Sequence, residues 1–219
     1  MIRQEHLPKL TILLSTSYAT LNLLHWPIGF TYFTQLSNLF LAAVVLMQLV
    51  KPDGRALPAL KFGAVVSIIV TCFVFLTVLV PIMPGRLLAA YGQDHGASFC
   101  LHLLSPVLAV YDFFRHDAAY PYTRRHARLA LVPPFLYCVF VLVLGRLGLR
   151  WGPDNMLAPY PFLNYGAPAG WFGFCPETAD YSTLGIGVFY AAIGLLALFY
   201  AAARALLRLA ERHFATLHG

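Results

Sequence analysis

From Leu60 to Val80 the chain carries one lysine, at its start, and no other charged residue. A block of that length, wound as a helix rising about 1.5 Å per residue, matches the roughly 30 Å hydrocarbon core of a bilayer. Five further apolar blocks follow the same rule. They predict helices from about Leu10 to Trp26, Tyr32 to Val50, Ala97 to Phe114, Leu129 to Leu147 and Thr183 to Ala203. Breakers separate them: Pro27-Ile28-Gly29, Pro52-Asp53-Gly54, and the cluster Pro81, Pro84 and Gly85. Pro133-Pro134 falls in the first turns of the fifth block, and a basic amphipathic tail follows the sixth.

Composition agrees. The 219 residues are 59% hydrophobic and 11% charged, with a mean hydropathy of +0.70. Soluble domains carry roughly 25% charged residues. A soluble domain, a disordered tail and a disulfide scaffold are therefore excluded. The expected class is an all-α, polytopic membrane protein: one domain, residues 1–219, built as a six-helix bundle. No small-residue cleavage site follows the first block, so it is expected to be retained as a helix.

The net charge of +6 sorts by side. Arg3, Lys9, Lys51, Arg55, Lys61, Arg115, Arg124, Arg125, Arg128, Arg204, Arg208 and Arg212 fall on one side of six alternating spans. Only Arg86, Arg146 and Arg150 fall on the other, a split of 12 to 3. The positive-inside rule then places both termini in the cytoplasm. Basic residues grouped between apolar blocks set orientation, so nucleic acid is not expected as a partner. The long connection at about 148–182 lies outside. Its aromatic, Pro- and Gly-rich composition suits either an interfacial belt or a cap over the bundle. Cys72 and Cys138 read as packing residues, whereas Cys100 and Cys175 share the outer side and leave a bond between them open.

Polar residues inside spans are expensive and mark function by default. Helix two opens Tyr32-Phe33-Thr34-Gln35-Leu36-Ser37-Asn38; helix four reads Cys100-Leu101-His102-Leu103-Leu104-Ser105-Pro106. Both helices enter from the outer side, which puts Thr34 and His102 at nearly one depth. A hydroxyl and an imidazole on neighbouring helices form a nucleophile–base pair. Asn38 shares the face of Thr34 and either donates to an oxyanion or ties two helices together. Asp112 lies ten residues beyond His102, about 15 Å along the helix, and Arg115 at i+3 is its expected ion-pair partner. His25, Asp94 and His95 also fall on the outer side, where they either approach the site or serve as hydrated interface residues.

Three stretches, in this order and spacing, carry a resemblance: Tyr32 to Asn38, His102 to Pro106 with Asp112, and Tyr160-Pro161-Phe162-Leu163-Asn164. They resemble the family of the androgen-induced gene product and the androgen-dependent TFPI-regulating protein, in the form of its bacterial and lower-eukaryote relatives. The likeness runs from helix one through helix six. It implies a threonine-dependent carboxylic ester hydrolase within the membrane, acting on esters of fatty acids with hydroxy fatty acids. The family's threonine matches Thr34 and its histidine matches His102. Asn38, Ser105, Tyr160 and Asn164 become oxyanion or substrate-binding candidates, with the Tyr160–Asn164 stretch over the mouth of the site. No metal or organic cofactor is implied. The expected partners are a lipid ester and membrane lipids, and the expected location is a bacterial inner membrane. Animal members have an aspartate a few residues after the threonine, where this chain has Ser37-Asn38, so the catalytic pair carries over while the lipid need not.

Two other classes stay open from the residues alone. His25, His95 and His102 gathered at the outer side would suit zinc or haem. A polar face of Ser15, Thr16, Ser17, Thr20 and Asn22 on helix one would suit a small transporter, a lipid sensor or an assembly factor.

Overall fold

The structure, a computed structural model, describes residues 6–24, 27–82, 95–152, 154–178 and 185–218. His25 and Asp94, and the side chain of His95, lie outside the described residues. Helix dominates, and extended pairing among the described residues is limited to isolated bridges, Trp151 with Met156 and Phe174 with Ile186.

Helix α1 spans Leu7–Asn22, α2 Phe33–Val50, α3 Leu57–Leu79, α4 Gly96–Asp117, α5 Arg124–Arg146 and α6 Val188–His218. Pro8 and Pro58 sit in the first turns of α1 and α3, where a missing N–H costs nothing. The five helices α2 to α6 are long and apolar enough to cross a membrane, and the chain is a helical membrane protein. Helix α1 has 16 residues, starts earlier than its apolar block and stops short of Trp26.

Two helices differ from expectation for local reasons. The fifth begins at Arg124 and is interrupted after Leu129, restarting at Val132. Pro133 and Pro134 have no N–H to give the carbonyls of Leu129 and Ala130, so the ladder breaks there. The sixth does not end near Ala203. It continues as one helix of 31 residues, and the basic tail is its last turns. Leu206, Leu207 and Ala210 are buried on one side of that tail, while Arg208 and Arg212 are exposed.

The chain divides into two compact units. One comprises residues 1–132 and 199–219, the other 133–198.

In the first unit α1 packs on α2 and α4, and α3 packs on α2 and α4, closing a ring of four helices. Side-chain contacts fix their directions. Gln35 near the start of α2 donates to Thr20 near the end of α1 (2.7 Å). Ser37 meets Thr71 near the far end of α3 (3.2 Å). Asn38 reaches Leu101 near the start of α4 (3.2 Å). Hence α2 runs alongside α4 in parallel and antiparallel to α1 and α3.

The opposite end of the ring holds charge. Asp112 is fully buried and accepts from Lys9 Nζ (2.6 Å), from Lys61 Nζ and, at 3.0 Å, from His116 Nδ1. Lys61, also fully buried, reaches Asp117 Oδ2 at 3.6 Å, and Gln48 donates to Asp117 Oδ1 at 2.8 Å. The expected pairing of Asp112 with Arg115 is therefore corrected. His116, four residues on, is the partner from the same helix. Lys9 and Lys61, 103 and 51 residues distant, come from α1 and α3 and face Asp112 across the ring.

One turn further along each helix the ring is dry. Ile12 on α1, Val44 and Val45 on α2, Val65 on α3 and Ala109 on α4 all have no exposed surface. Beyond that layer polar side chains return, without charge.

The second unit joins a loop framework to residues 133–146 of α5 and 188–198 of α6. Trp151 is completely buried, Tyr160 stacks on Phe162 (5.3 Å), and Tyr165 stacks on Trp171 (5.2 Å). Gly145 is required where α5 meets this loop, because a Cβ there would sit 2.5 Å from both Leu157 O and Tyr165 Oη.

Candidate functional site

The uncharged polar layer is built on the ends of α1, α2, α3 and α4 away from the ion pairs. Thr34 lies in the first turn of α2, two residues past the N-cap Tyr32, whose backbone is extended (φ −80°, ψ 140°). The positive end of the helix dipole therefore lies at the turn that carries Thr34. Thr34 is 4% exposed. The next residues are buried around most of the helix: Gln35, Ser37 and Asn38.

His102 is 1% exposed and sits in the middle of a π turn, Cys100–Leu104. Pro106 explains the wider winding. It has no N–H for the His102 carbonyl four residues back, and its ring crowds that carbonyl. The turn closes instead through the Ser105 N–H to Cys100 O. A second π turn, Phe75–Leu79, precedes Pro81 in the same way. The two meet: the ring of Phe75 stacks on the imidazole of His102, centroids 3.7 Å apart and planes within 17°.

Hydrogen bonds settle the tautomer. His102 Nδ1 lies 3.0 Å from Ser98 O, one turn back, with Ser98 Oγ at 3.4 Å. A carbonyl only accepts, so Nδ1 carries the proton and Nε2 carries the lone pair. That is the form of histidine a general base requires.

Asn38 joins the two helices. Its Nδ2 donates to Thr34 O (2.9 Å) and to Leu101 O (3.2 Å), so a single amide bridges the backbones on which Thr34 and His102 lie. Both amide hydrogens are thereby engaged, which fits the interhelical role; what the side chain still offers is its oxygen. Asn38 Oδ1 is buried with no hydrogen-bond partner among the described residues. Ser105 is also committed, 3.0 Å from Ser15 Oγ on α1. The second unit holds the remaining candidates. Asn164 Oδ1 accepts from the N–H groups of Leu157 (3.0 Å) and Gly166 (3.1 Å), shaping its own loop, and Tyr160 is buried against Phe162 and Tyr137. On α1 the polar face divides: Ser15 and Thr16 are buried and Ser17 is exposed.

Sequence reasoning passed over Ser98 and Phe75, which hold the imidazole, and gave Thr71 and Ser67 no role. A proline four residues after a buried histidine is the signal that was available for the π turn. Among the described residues no group of three or more His, Cys, Asp and Glu side chains is arranged to hold a metal ion.

Compared with protein-family models, with curated proteins and with solved structures, the chain matches none. The arrangement itself therefore carries the functional argument. A buried hydroxyl at a helix N-terminus and a correctly tautomerised imidazole, on two helices bridged by one amide, have the parts for acyl transfer.

Proposed function

We propose that the chain is an intramembrane ester hydrolase in which Thr34 is the nucleophile and His102 the general base. The observation that carries this is the Asn38 bridge, which brings the Thr34 turn of α2 against the His102 turn of α4. The Ser98 carbonyl adds to it by holding the proton on Nδ1.

The chemistry balances as two half-reactions. Nε2 takes the proton from Thr34 Oγ1 as that oxygen bonds to the ester carbonyl carbon. The oxyanion rests on the first-turn amides of α2. The C–O bond to the alcohol then breaks, and the alcohol leaves with the proton from His102. Water, deprotonated by the same nitrogen, attacks the acyl-threonine and frees the acid, while the proton returns to Oγ1. A lipid ester is the substrate class, because Thr34 and His102 are buried among apolar helices long enough to cross a membrane. The resemblance to the androgen-induced family points to the same pair and to esters of hydroxy fatty acids. Six spans, with α1 as the first, both termini in the cytoplasm and residence in a bacterial inner membrane complete the proposal.

The test is a panel of lipid esters presented in detergent micelles to the purified chain. Thr34→Ala and His102→Ala are each expected to lower hydrolysis by at least about 100-fold with unchanged helix content. Thr34→Ala should also abolish labelling by an activated-ester or fluorophosphonate probe. Full activity in either variant rejects the proposal.

A further inference from the structure

Among the described residues the closest pair of rings is Phe75 on α3 and His102 on α4. Their centroids are 3.7 Å apart and their planes are within 17° of parallel. The other ring pairs between described residues stand 4.9 to 6.5 Å apart. Two widened turns meet at this pair. Phe75–Leu79 and Cys100–Leu104 each end two residues before a proline, Pro81 and Pro106. The first closes through the Val80 N–H to Phe75 O and the second through the Ser105 N–H to Cys100 O. The first residue of one π turn thus faces the middle residue of the other.

Ring faces in van der Waals contact lie about 3.5 Å apart. A centroid distance of 3.7 Å then leaves a sideways offset of only about 1 Å, so the two rings nearly eclipse each other. Two neutral aromatic rings avoid that arrangement. Their like quadrupoles favour offset or edge-to-face pairs, with centroids roughly 4.5–7 Å apart. A cation over the ring reverses the preference, because the π face is negative and attracts charge to its centre. The resting imidazole is neutral, with its proton on Nδ1 facing Ser98 O. It becomes a cation only when Nε2 takes a second proton. Phe75 is 8% exposed and His102 1%, so bulk water does not screen the attraction. The bond to Ser98 also fixes only one edge of the imidazole, and the phenyl face stops the ring from swinging about that bond.

We infer that Phe75 is a positioning residue for the hydrolysis, acting through His102. Its π face steadies the imidazolium formed when Nε2 takes the proton of Thr34 Oγ1, and again when it takes the proton of water. The inference rests on the proposed function. The protons pass on to the leaving alcohol and back to Oγ1, so the phenyl ring itself gains and loses nothing. It lowers the energy of the charged state through which both half-reactions pass. An interaction stronger there than in the resting complex raises kcat and leaves KM alone.

The test replaces Phe75 in the full chain by mono-, tri- and pentafluorophenylalanine. Fluorine withdraws electron density from the π face while the ring keeps nearly its shape. With a chromogenic ester, kcat is expected to fall stepwise, reaching about a 10-fold loss with five fluorines, and KM to stay within about twofold. Phe75→Leu, which fills space without a π face, is expected to lose a similar factor. A kcat that stays flat along the series, or a change confined to KM, overturns the inference. The stack is read separately from activity. The carbon-bound imidazole protons of His102 should show an upfield ring-current shift that Phe75→Leu abolishes, and an unshifted wild-type signal also overturns the inference. A wild-type chain with no ester turnover defeats the hydrolase proposal and this role together, whereas turnover that ignores fluorination defeats this role alone.

Discussion

The two buried polar layers of the first unit are made from the same four helices and treated in opposite ways. In the charged layer two lysines, Lys9 and Lys61, face two aspartates, Asp112 and Asp117, with Gln48 and His116 filling the remaining sites. Asp117 Oδ2 has no hydrogen bond, yet it still lies against Lys61 Nζ. In the uncharged layer four side-chain atoms have no hydrogen-bond partner among the described residues. A buried charge without a counter-charge would cost several kcal/mol, roughly, so that layer had to be completed by the protein itself. A buried hydroxyl or amide oxygen costs about 1–3 kcal/mol when unpaired, within what a water or a substrate can offset. The charged layer answers every charge with a counter-charge; the uncharged layer leaves neutral atoms without partners among the described residues.

The largest test of this contrast is Asp112→Asn. It removes the charge that both lysines share and leaves Asp117 as the carboxylate near Lys9 and Lys61 among the described residues. A loss of about 3–5 kcal/mol is expected, enough to unfold the chain or to lower its melting temperature by more than 10 °C, roughly. Thermal unfolding followed by monodisperse yield in detergent measures it. A variant as stable as wild type would mean that the charged layer is hydrated and screened, and the contrast would fail.

How far the sequence revealed each layer follows from the same physics. The apolar blocks were legible because bilayer thickness fixes their length. His102 was legible because an imidazole inside such a block has no cheap explanation. Thr34 was legible through its position at a helix start. The charged layer was not legible. Lys9 and Lys61 lie at block ends, where the positive-inside rule already accounts for a lysine. Asp112 had a nearer and misleading partner in Arg115. Ser98 and Phe75 were hidden because a backbone carbonyl and a phenyl ring carry no polar signature. The break in α5 was written in Pro133-Pro134, and only its consequence, a helix starting upstream at Arg124, needed coordinates.

Asn38→Leu stands next in size. The substitution keeps the volume but removes the bridge to Thr34 O and Leu101 O. It also removes the orphaned Oδ1, which offsets part of the loss, so about 1–2 kcal/mol of destabilisation is expected. On the proposed mechanism activity should fall further than stability, because the amide sets the approach of the turns that carry Thr34 and His102. Urea unfolding gives the first quantity and ester turnover gives the second. Equal stability with equal turnover would show that the bridge positions nothing.

The smallest effect is the most discriminating, and it concerns Ser15 and Ser105. Their hydroxyls lie 3.0 Å apart, fully within the ring, and Ser15 also donates to Ile12 O at 3.1 Å. Ser15→Ala strands Ser105, a cost of about 1 kcal/mol, while Ser105→Ala leaves Ser15 its bond to Ile12 O and costs less. Replacing both removes the need along with the bond, and the double variant should lie within about 0.5 kcal/mol of wild type. The corresponding double replacement in the charged layer, Lys61→Met with Asp112→Leu, cannot recover in this way, since it strands Lys9, Asp117 and His116. Unfolding free energies for the two cycles thus separate a paired neutral contact, which is dispensable as a unit, from a charge network in which Lys61, Asp112 and Asp117 each answer to more than one partner.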